Sequence, residues 1–213
     1  MRPMDPSRIE GLRLVIEVAA TLAFALSGLL EAARRKLDAV GACVVAFLAA
    51  FGGGTLRDLL LDQRPFFWVR HVEYVWAVLV LSVLAMIVLR ARHLALTERA
   101  ILIPDALGLG LFAAAGTDMA LGLGHPPLIA VLMGVVTGVF GGVLRDVVCN
   151  EIPNAFRDHR PYAVVAFIGG WLYVGLERLA VGADWALVIT VVAIAAVRLL
   201  ALARQWTLPR WRV

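Results

Sequence analysis

The chain has 213 residues, the length of one domain or two small ones. Hydrophobic residues make up 62% and charged residues 17%, with a mean hydropathy of +0.86; a soluble globular chain carries about 45–50% and about 25%, which excludes a water-soluble enzyme and a disordered chain and leaves an integral membrane protein. Twenty Lys+Arg against 16 Asp+Glu give a net charge of +4, but Lys36 is the only lysine and the arginines gather between apolar runs, the pattern of loops beside a membrane rather than of a nucleic-acid groove.

About 20 apolar residues cross the hydrocarbon core as a helix. Runs bounded by charges predict seven spans, at roughly 14–32, 39–60, 74–89, 101–123, 127–148, 162–177 and 185–203. The first is read as a retained helix rather than a signal peptide, because Glu17 interrupts it and no A-x-A-like exit follows. The runs are continuously apolar, so helices are expected and barrel strands are not. Cys43 and Cys149 lie within apolar segments, too few for a disulfide framework or a metal site. One set of loops, with the tail, collects Arg34, Arg35, Lys36, Arg90, Arg92, Arg99, Arg157, Arg160, Arg204, Arg210 and Arg212. The other holds Arg2, Arg8, Arg13, Arg64, Arg70 and Arg178. Eleven against six, with Arg57, Arg145 and Arg198 set aside as lying in or at the ends of spans, predicts an outside N-terminus and a cytoplasmic C-terminus.

The chain repeats itself. An offset of 88 aligns Phe24 with Phe112, Gly28 with Gly116, Gly53-Gly54 with Gly141-Gly142, and Arg57-Asp58 with Arg145-Asp146. It also aligns Pro65 with Pro153, His71 with His159 and Tyr74 with Tyr162, and it sets Glu17 on Asp105. Eight of 22 positions over 53–74 are identical. Apolar bias produces chance Leu, Val and Ala matches; it does not align Arg, Asp, Pro, His and Tyr. Each copy (about 14–90 and about 102–178) holds three spans. An odd number makes the second copy enter from the opposite side, an inverted repeat of the kind found in transport proteins. The seventh span, about 185–203, stands outside it as a closing or oligomer-facing helix. The whole of 1–213 is then one membrane domain.

The second and fifth spans carry the chemistry. Ala46, Ala50 and Gly54, and likewise Gly134, Gly138 and Gly142, recur every four residues, a stripe that lets helices approach closely. Gly52-Gly53-Gly54 and Gly141-Gly142 lie deep in their spans, where adjacent glycines cost about 1 kcal/mol each and invite a kink. A break would free carbonyls, tolerated in a bilayer only against protein or a watery cavity. One turn later come Arg57-Asp58 and Arg145-Asp146. A charge at that depth costs roughly 2.5–3.5 kcal/mol on insertion scales. A hydrated pathway and an ion-pair lock both account for it. Neighbours on one helix face away from each other, so the inverted axis predicts that Arg57 meets Asp146 and Arg145 meets Asp58.

Gly-Gly-Gly-Thr-Leu-Arg-Asp at 52–58, echoed as Gly-Gly-Val-Leu-Arg-Asp at 141–146, resembles the trimeric intracellular cation (TRIC) channel family, prokaryotic branch, and the resemblance covers nearly the whole chain. It implies a homotrimer in a prokaryotic plasma membrane, with a pore in each subunit passing monovalent cations, chiefly potassium. It implies gating at Gly52, Gly53, Gly54, Gly138, Gly141 and Gly142 on the kinked second and fifth spans. Phe140 stands where the second motif would have its first glycine, which stiffens the fifth span. The basic phosphoinositide motif and lysine-rich tail of eukaryotic members have no match. The prokaryotic branch has also carried a glycine-transporter label, so a secondary transporter of a small zwitterion is the rival reading.

Other ionisable residues are candidates for attracting cations: Glu17 and Asp105 early in the first and fourth spans, with interfacial placement as the alternative, and Asp118 deeper, beside Thr117, with Glu31 as its rough counterpart. His71, His159, Tyr74 and Tyr162 are expected to anchor at the headgroups. Ser27 and Ser82 lack a histidine partner and no Walker loop occurs, so neither catalysis nor a bound nucleotide is expected. No cofactor and no nucleic acid are implied. The partners are cations, membrane lipid and further copies of the chain.

Overall fold

The computed structural model describes residues 6–92, 98–157 and 161–207. Arg2, His159, Arg160, Arg210 and Arg212 lie outside the described residues. Within them the chain forms the helices α1 (Pro6–Arg34), α2 (Ala39–Leu60), α3 (Phe67–Arg70), α4 (Val72–Arg92), α5 (Glu98–Gly122), α6 (Pro127–Val148), α7 (Asn154–Arg157), α8 (Ala163–Arg178) and α9 (Ala183–Ala203). It is an all-helical, multi-pass membrane protein. Each expected apolar run falls on a helix, and α3 and α7 are single turns added after α2 and α6. Five helices, α1, α2, α5, α6 and α9, are long and apolar enough to cross a membrane. α4 is apolar over the shorter stretch Val72–Val88. α8 has 16 residues, about 24 Å of rise against a hydrocarbon core of about 30 Å.

Local sequence sets the ends. Asp38 caps α2 by accepting from the Gly41 amide at 2.7 Å, and proline opens α6. Asp62 and Asn150, equivalent across the repeat, follow α2 and α6 with φ of 51° and 57°. Asp and Asn tolerate that left-handed backbone better than other non-glycine residues, and it returns the Gln63 and Glu151 amides to the Asp58 and Asp146 carbonyls.

Helices α1, α2, α5 and α6 form the centre, and α9 packs on α5 and α8. Repeat-equivalent residues meet there. Phe24 of α1 stacks on Phe112 of α5, with centroids 5.7 Å apart and planes 16° apart. A methyl on Gly53 would strike the Thr137 carbonyl, and one on Gly141 the Ala49 carbonyl. Since Ala49 and Thr137 are themselves equivalents, the two contacts are one antiparallel α2–α6 crossing seen from each side. The small-residue stripes pack as expected: Gly28 lies against Ala46 at 3.0 Å, and Gly138 against the Leu109 carbonyl at 3.0 Å, measured from the place a Cβ would take.

The expected helix breaks are absent. Helical structure runs through Gly52–Gly54 in α2 and Gly141–Gly142 in α6 without interruption, so no carbonyls are freed there. Gly53 and Gly141 instead remove side chains where two backbones touch, and Gly52, Gly54 and Gly142 make room for the side chains of Leu144, Phe67 and Tyr162, with the helical hydrogen bonds left whole in a low-dielectric setting.

Candidate functional site

Arg57 and Arg145 are each 1% exposed, one turn beyond the crossing in opposite directions. The expected cross-repeat pairing is not made. Arg57 pairs with Asp58 (2.8 Å) and Arg145 with Asp146 (2.8 Å), each on its own helix. The crossing explains this. With Gly53 level with Thr137 in an antiparallel pair, about 20 Å of helix rise separates Arg57 from Asp146 at 1.5 Å per residue. Both Arg-Asp pairs sit in a final helical turn, so the long arginine chain can fold back along its own helix. The second oxygen of each aspartate accepts a backbone amide at the start of the following short helix, Phe67 N for Asp58 and Asn154 N for Asp146, both at 2.8 Å. Each aspartate therefore ties a buried cation to the loop that leaves the membrane helix, a charge-assisted arrangement.

The surroundings of the two arginines differ. Arg145 also donates through Nη1 to Asp105 at 2.6 Å and to the Ser27 hydroxyl. Ser27 in turn donates to the Ile101 carbonyl at 3.3 Å, one turn from Pro104, which lies inside α5. The Tyr162 hydroxyl and Asp105 both border Gly142, at 3.2 and 3.3 Å from where its Cβ would stand. This cluster joins α1, α5, α6 and the start of α8, and among the described residues its side chains are buried, Arg145 and Asp105 at 1% and Tyr162 at 3% exposure.

At Arg57 the counterpart of Asp105 is Glu17, and the counterpart of Ser27 is Ala115. Glu17 accepts from the Tyr74 hydroxyl at 3.4 Å and makes no ion pair with Arg57. The guanidinium lies beside the Phe67 ring, 5.4 Å from its centroid. A cavity of about 70 Å³ opens there, bounded by Glu17, Arg57, Asp58, Phe67, Arg70 and His71 among others. Glu17, Arg70, His71 and Met119 also line a wider vestibule of about 790 Å³ between the start of α1 and the end of α5. Asp118 forms its wall, held by Arg13 (2.7 Å) and the Tyr173 hydroxyl (2.7 Å).

Of the proposed cation-attracting acids, then, Glu17 is half-buried and faces the vestibule, Asp105 is buried in the Arg145 cluster, and Asp118 is tied to Arg13. Tyr74 and Tyr162 are 2% and 3% exposed. They are not headgroup anchors: their hydroxyls turn inward towards Glu17 and Asp105. His71 is half-exposed and contacts Glu73 at 2.9 Å. Glu31 lies at the opposite end of α1, pairing with Arg34 and Arg35, and Arg35 continues to Glu151. Sequence reasoning set Arg198 aside. It is 2% exposed, stacked 4.6 Å over the Tyr162 ring and donating to the Pro161 carbonyl at 3.2 Å. A lone arginine deep in the last apolar run was the signal for it. Among the described residues no His, Cys, Asp and Glu cluster is disposed to hold a metal.

A family model described as "Glycine transporter" matches the chain twice, over residues 14–90 and 102–178. A UPF0126 membrane protein of Vibrio cholerae is 36% identical over 92% of this chain and 81% of its own length. The UPF0126 inner membrane protein YadS of Escherichia coli K12 is 39% identical over 73% of this chain and 74% of its own. Among solved structures, the TRIC trimeric intracellular cation channel orthologue from Rhodobacter sphaeroides matches with a TM-score of 0.85 at 33% identity, over 91% of this chain and 98% of that one. A second, from work on conductance through TRIC cation channels, matches at 0.82 and 31% identity, over 93% and 97%. The chain belongs to the prokaryotic TRIC family. Within this TRIC-family chain, both matched segments contain a buried Arg-Asp pair, and Arg198 lies beyond both.

Proposed function

We propose that the protein is a monovalent cation channel, selective for potassium, with one pore inside each subunit of a homotrimer in a prokaryotic plasma membrane. The observation that carries this reading is the polar vestibule that reaches Glu17 and Arg57, set against the buried Arg145 cluster among the described residues, in a fold shared with TRIC cation channels. Seven helices span the membrane in this reading, α1, α2, α4, α5, α6, α8 and α9, as two inverted repeats (about 14–90 and 102–178) and an extra helix. The N-terminus and the vestibule face outside, and the Arg145 cluster faces the cytoplasm.

Cations enter past Glu17 and Asp118 and leave between α2 and α6. The Arg145–Asp105–Ser27 cluster is the inner seal, and conduction requires it to part. Gly52, Gly53, Gly54, Gly138, Gly141 and Gly142 supply a bare helix surface on which α2, α5 and α6 shift during gating. Recording from purified protein in a planar bilayer tests the reading. Unitary, ohmic potassium currents support it. Saturable, gradient-coupled uptake of a small solute without unitary events would replace it with a carrier.

A further inference from the structure

Arg145 faces two aspartates, Asp105 at 2.6 Å and Asp146 at 2.8 Å. All three are buried, so the inner cluster taken alone holds an excess of negative charge. Its outer counterpart escapes this. Arg57 and Asp58 balance each other, and Arg57 Nη1 is left without a hydrogen-bond partner among the described residues. The third group there, Glu17, is half-buried beside the vestibule, where water can solvate it. Asp105 is shielded from water. An excess charge in that position is costly unless a further opposite charge stands near it.

The chain supplies that charge from outside the repeat. Arg198 of α9 is also buried. Its guanidinium lies 4.6 Å over the Tyr162 ring and donates to the Pro161 carbonyl at 3.2 Å, holding the start of α8 at two successive residues. The Tyr162 hydroxyl borders Gly142 beside Asp105, and Asp105, Arg145 and Arg198 all act on it electrostatically. In the first repeat the ring stacked on the equivalent Tyr74 is His71, a residue of the same repeat, with centroids 5.2 Å apart. The second repeat instead borrows a cation from α9.

Helix packing sets the height of Arg198. A Cβ on Gly110 of α5 would stand 2.8 Å from the Val191 carbonyl and 3.3 Å from the Ala195 amide nitrogen, so α5 and α9 touch backbone to backbone there. Further along α5, Ala114 and Ala115 pack with Ala186 and Leu187 of α9 in one apolar cluster. The two helices therefore run antiparallel. Asp105 precedes Gly110 and Arg198 follows Ala195, which sets both at the same end of the contact.

We propose that Arg198 is a positioning residue of the inner seal: its charge, set on the Tyr162 ring, offsets Asp105 and holds that acid on Arg145, so that a shift of α9 against α5 loosens the seal. The gating half of this proposal rests on the channel reading; the place of Arg198 in the cluster does not.

The test is a double-mutant cycle between Arg198 and Asp105 in the full-length protein, read by melting temperature in one detergent and by open probability in a planar bilayer. Arg198→Gln should lower the melting temperature of the wild type and shift that of Asp105→Asn by less than half as much. It should raise open probability roughly three- to tenfold, the worth of one buried cation–π contact, with no further rise in Asp105→Asn. Arg198→Lys keeps the charge over the ring and should restore closure, which a packing role alone would not allow. Tyr162→Phe keeps the ring under Arg198 and removes the hydroxyl beside Asp105. It should raise open probability as well, and it stands in if Arg198→Gln does not fold. Additive melting shifts would overturn the proposal, and so would unchanged open probability in conducting Arg198→Gln or Tyr162→Phe protein. Coupled melting shifts in a wild type that passes no unitary current would discard the channel reading and the gating half with it, while upholding Arg198 as part of the cluster.

Discussion

Arg145 shows what a satisfied buried cation looks like in this fold, and Arg57 what an unsatisfied one looks like. Removing one partner of a buried ion pair strands the other and costs about 3–5 kcal/mol. Arg145→Ala leaves both Asp105 and Asp146 stranded, and a thermal melt in detergent should show a loss of that order. Ser27→Ala should cost about 1 kcal/mol, the net worth of one hydrogen bond. Equal effects of the two substitutions would mean that the cluster is not the buried lock described. Which residues would be buried and charged was legible in the sequence, because Arg-Asp recurs at matching depth after the glycines. Who pairs with whom was not. Pairing depends on the height at which α2 and α6 cross, and that height is fixed by a backbone contact between Gly53 and Thr137 that no pattern announces. Tyr74 and Tyr162 were misplaced for a related reason: their position beside a span start reads as interfacial until the acids facing them, Glu17 and Asp105, are seen in space.

At the scale of the helices, the glycines are not equivalent. A Cβ on Gly53 or Gly141 would press on a backbone carbonyl of the other central helix, which cannot move without separating α2 from α6. A Cβ on Gly52 would meet only the end of the Leu144 side chain, which can turn away. Gly53→Ala and Gly141→Ala should each destabilise the protein by about 1–3 kcal/mol, the usual range for overpacking. Gly52→Ala should be close to neutral, since alanine is also the better helix former. Melting temperatures of the three variants in one detergent decide the matter, and a Gly52→Ala loss as large as the others would show that bending, not close packing, is what the glycines supply. The helices themselves were largely legible, since long apolar runs bounded by charge leave few alternatives in a bilayer. The short α3 and α7 were not: single turns carry no periodicity, and both depend on an aspartate from the preceding helix accepting their first amide.

For the whole molecule, the offset of 88 predicts two equivalent parts, and residues that it equates meet at the Phe24–Phe112 stack and at the α2–α6 crossing. The difference between the parts was written in the sequence as Glu17 against Asp105 and Ala115 against Ser27, but its meaning needed coordinates, because a vestibule is the space left by residues far apart in the chain. Orientation is testable without a structure: a membrane-impermeant thiol reagent applied to sealed cells should label cysteines introduced at Arg64 and Arg178 and spare one introduced at Arg204. The opposite pattern would invert the vestibule to the cytoplasmic side. If cations cross each subunit by a route open at Glu17 and Arg57 and sealed at Arg145–Asp105, unitary potassium currents from purified wild-type and Asp105→Asn protein in one planar bilayer will report it. Unitary openings are expected in both, with a higher open probability in Asp105→Asn because Arg145 loses its charged partner across the seal. Absence of unitary current from the wild type, or an Asp105→Asn channel whose open probability is unchanged, would contradict it.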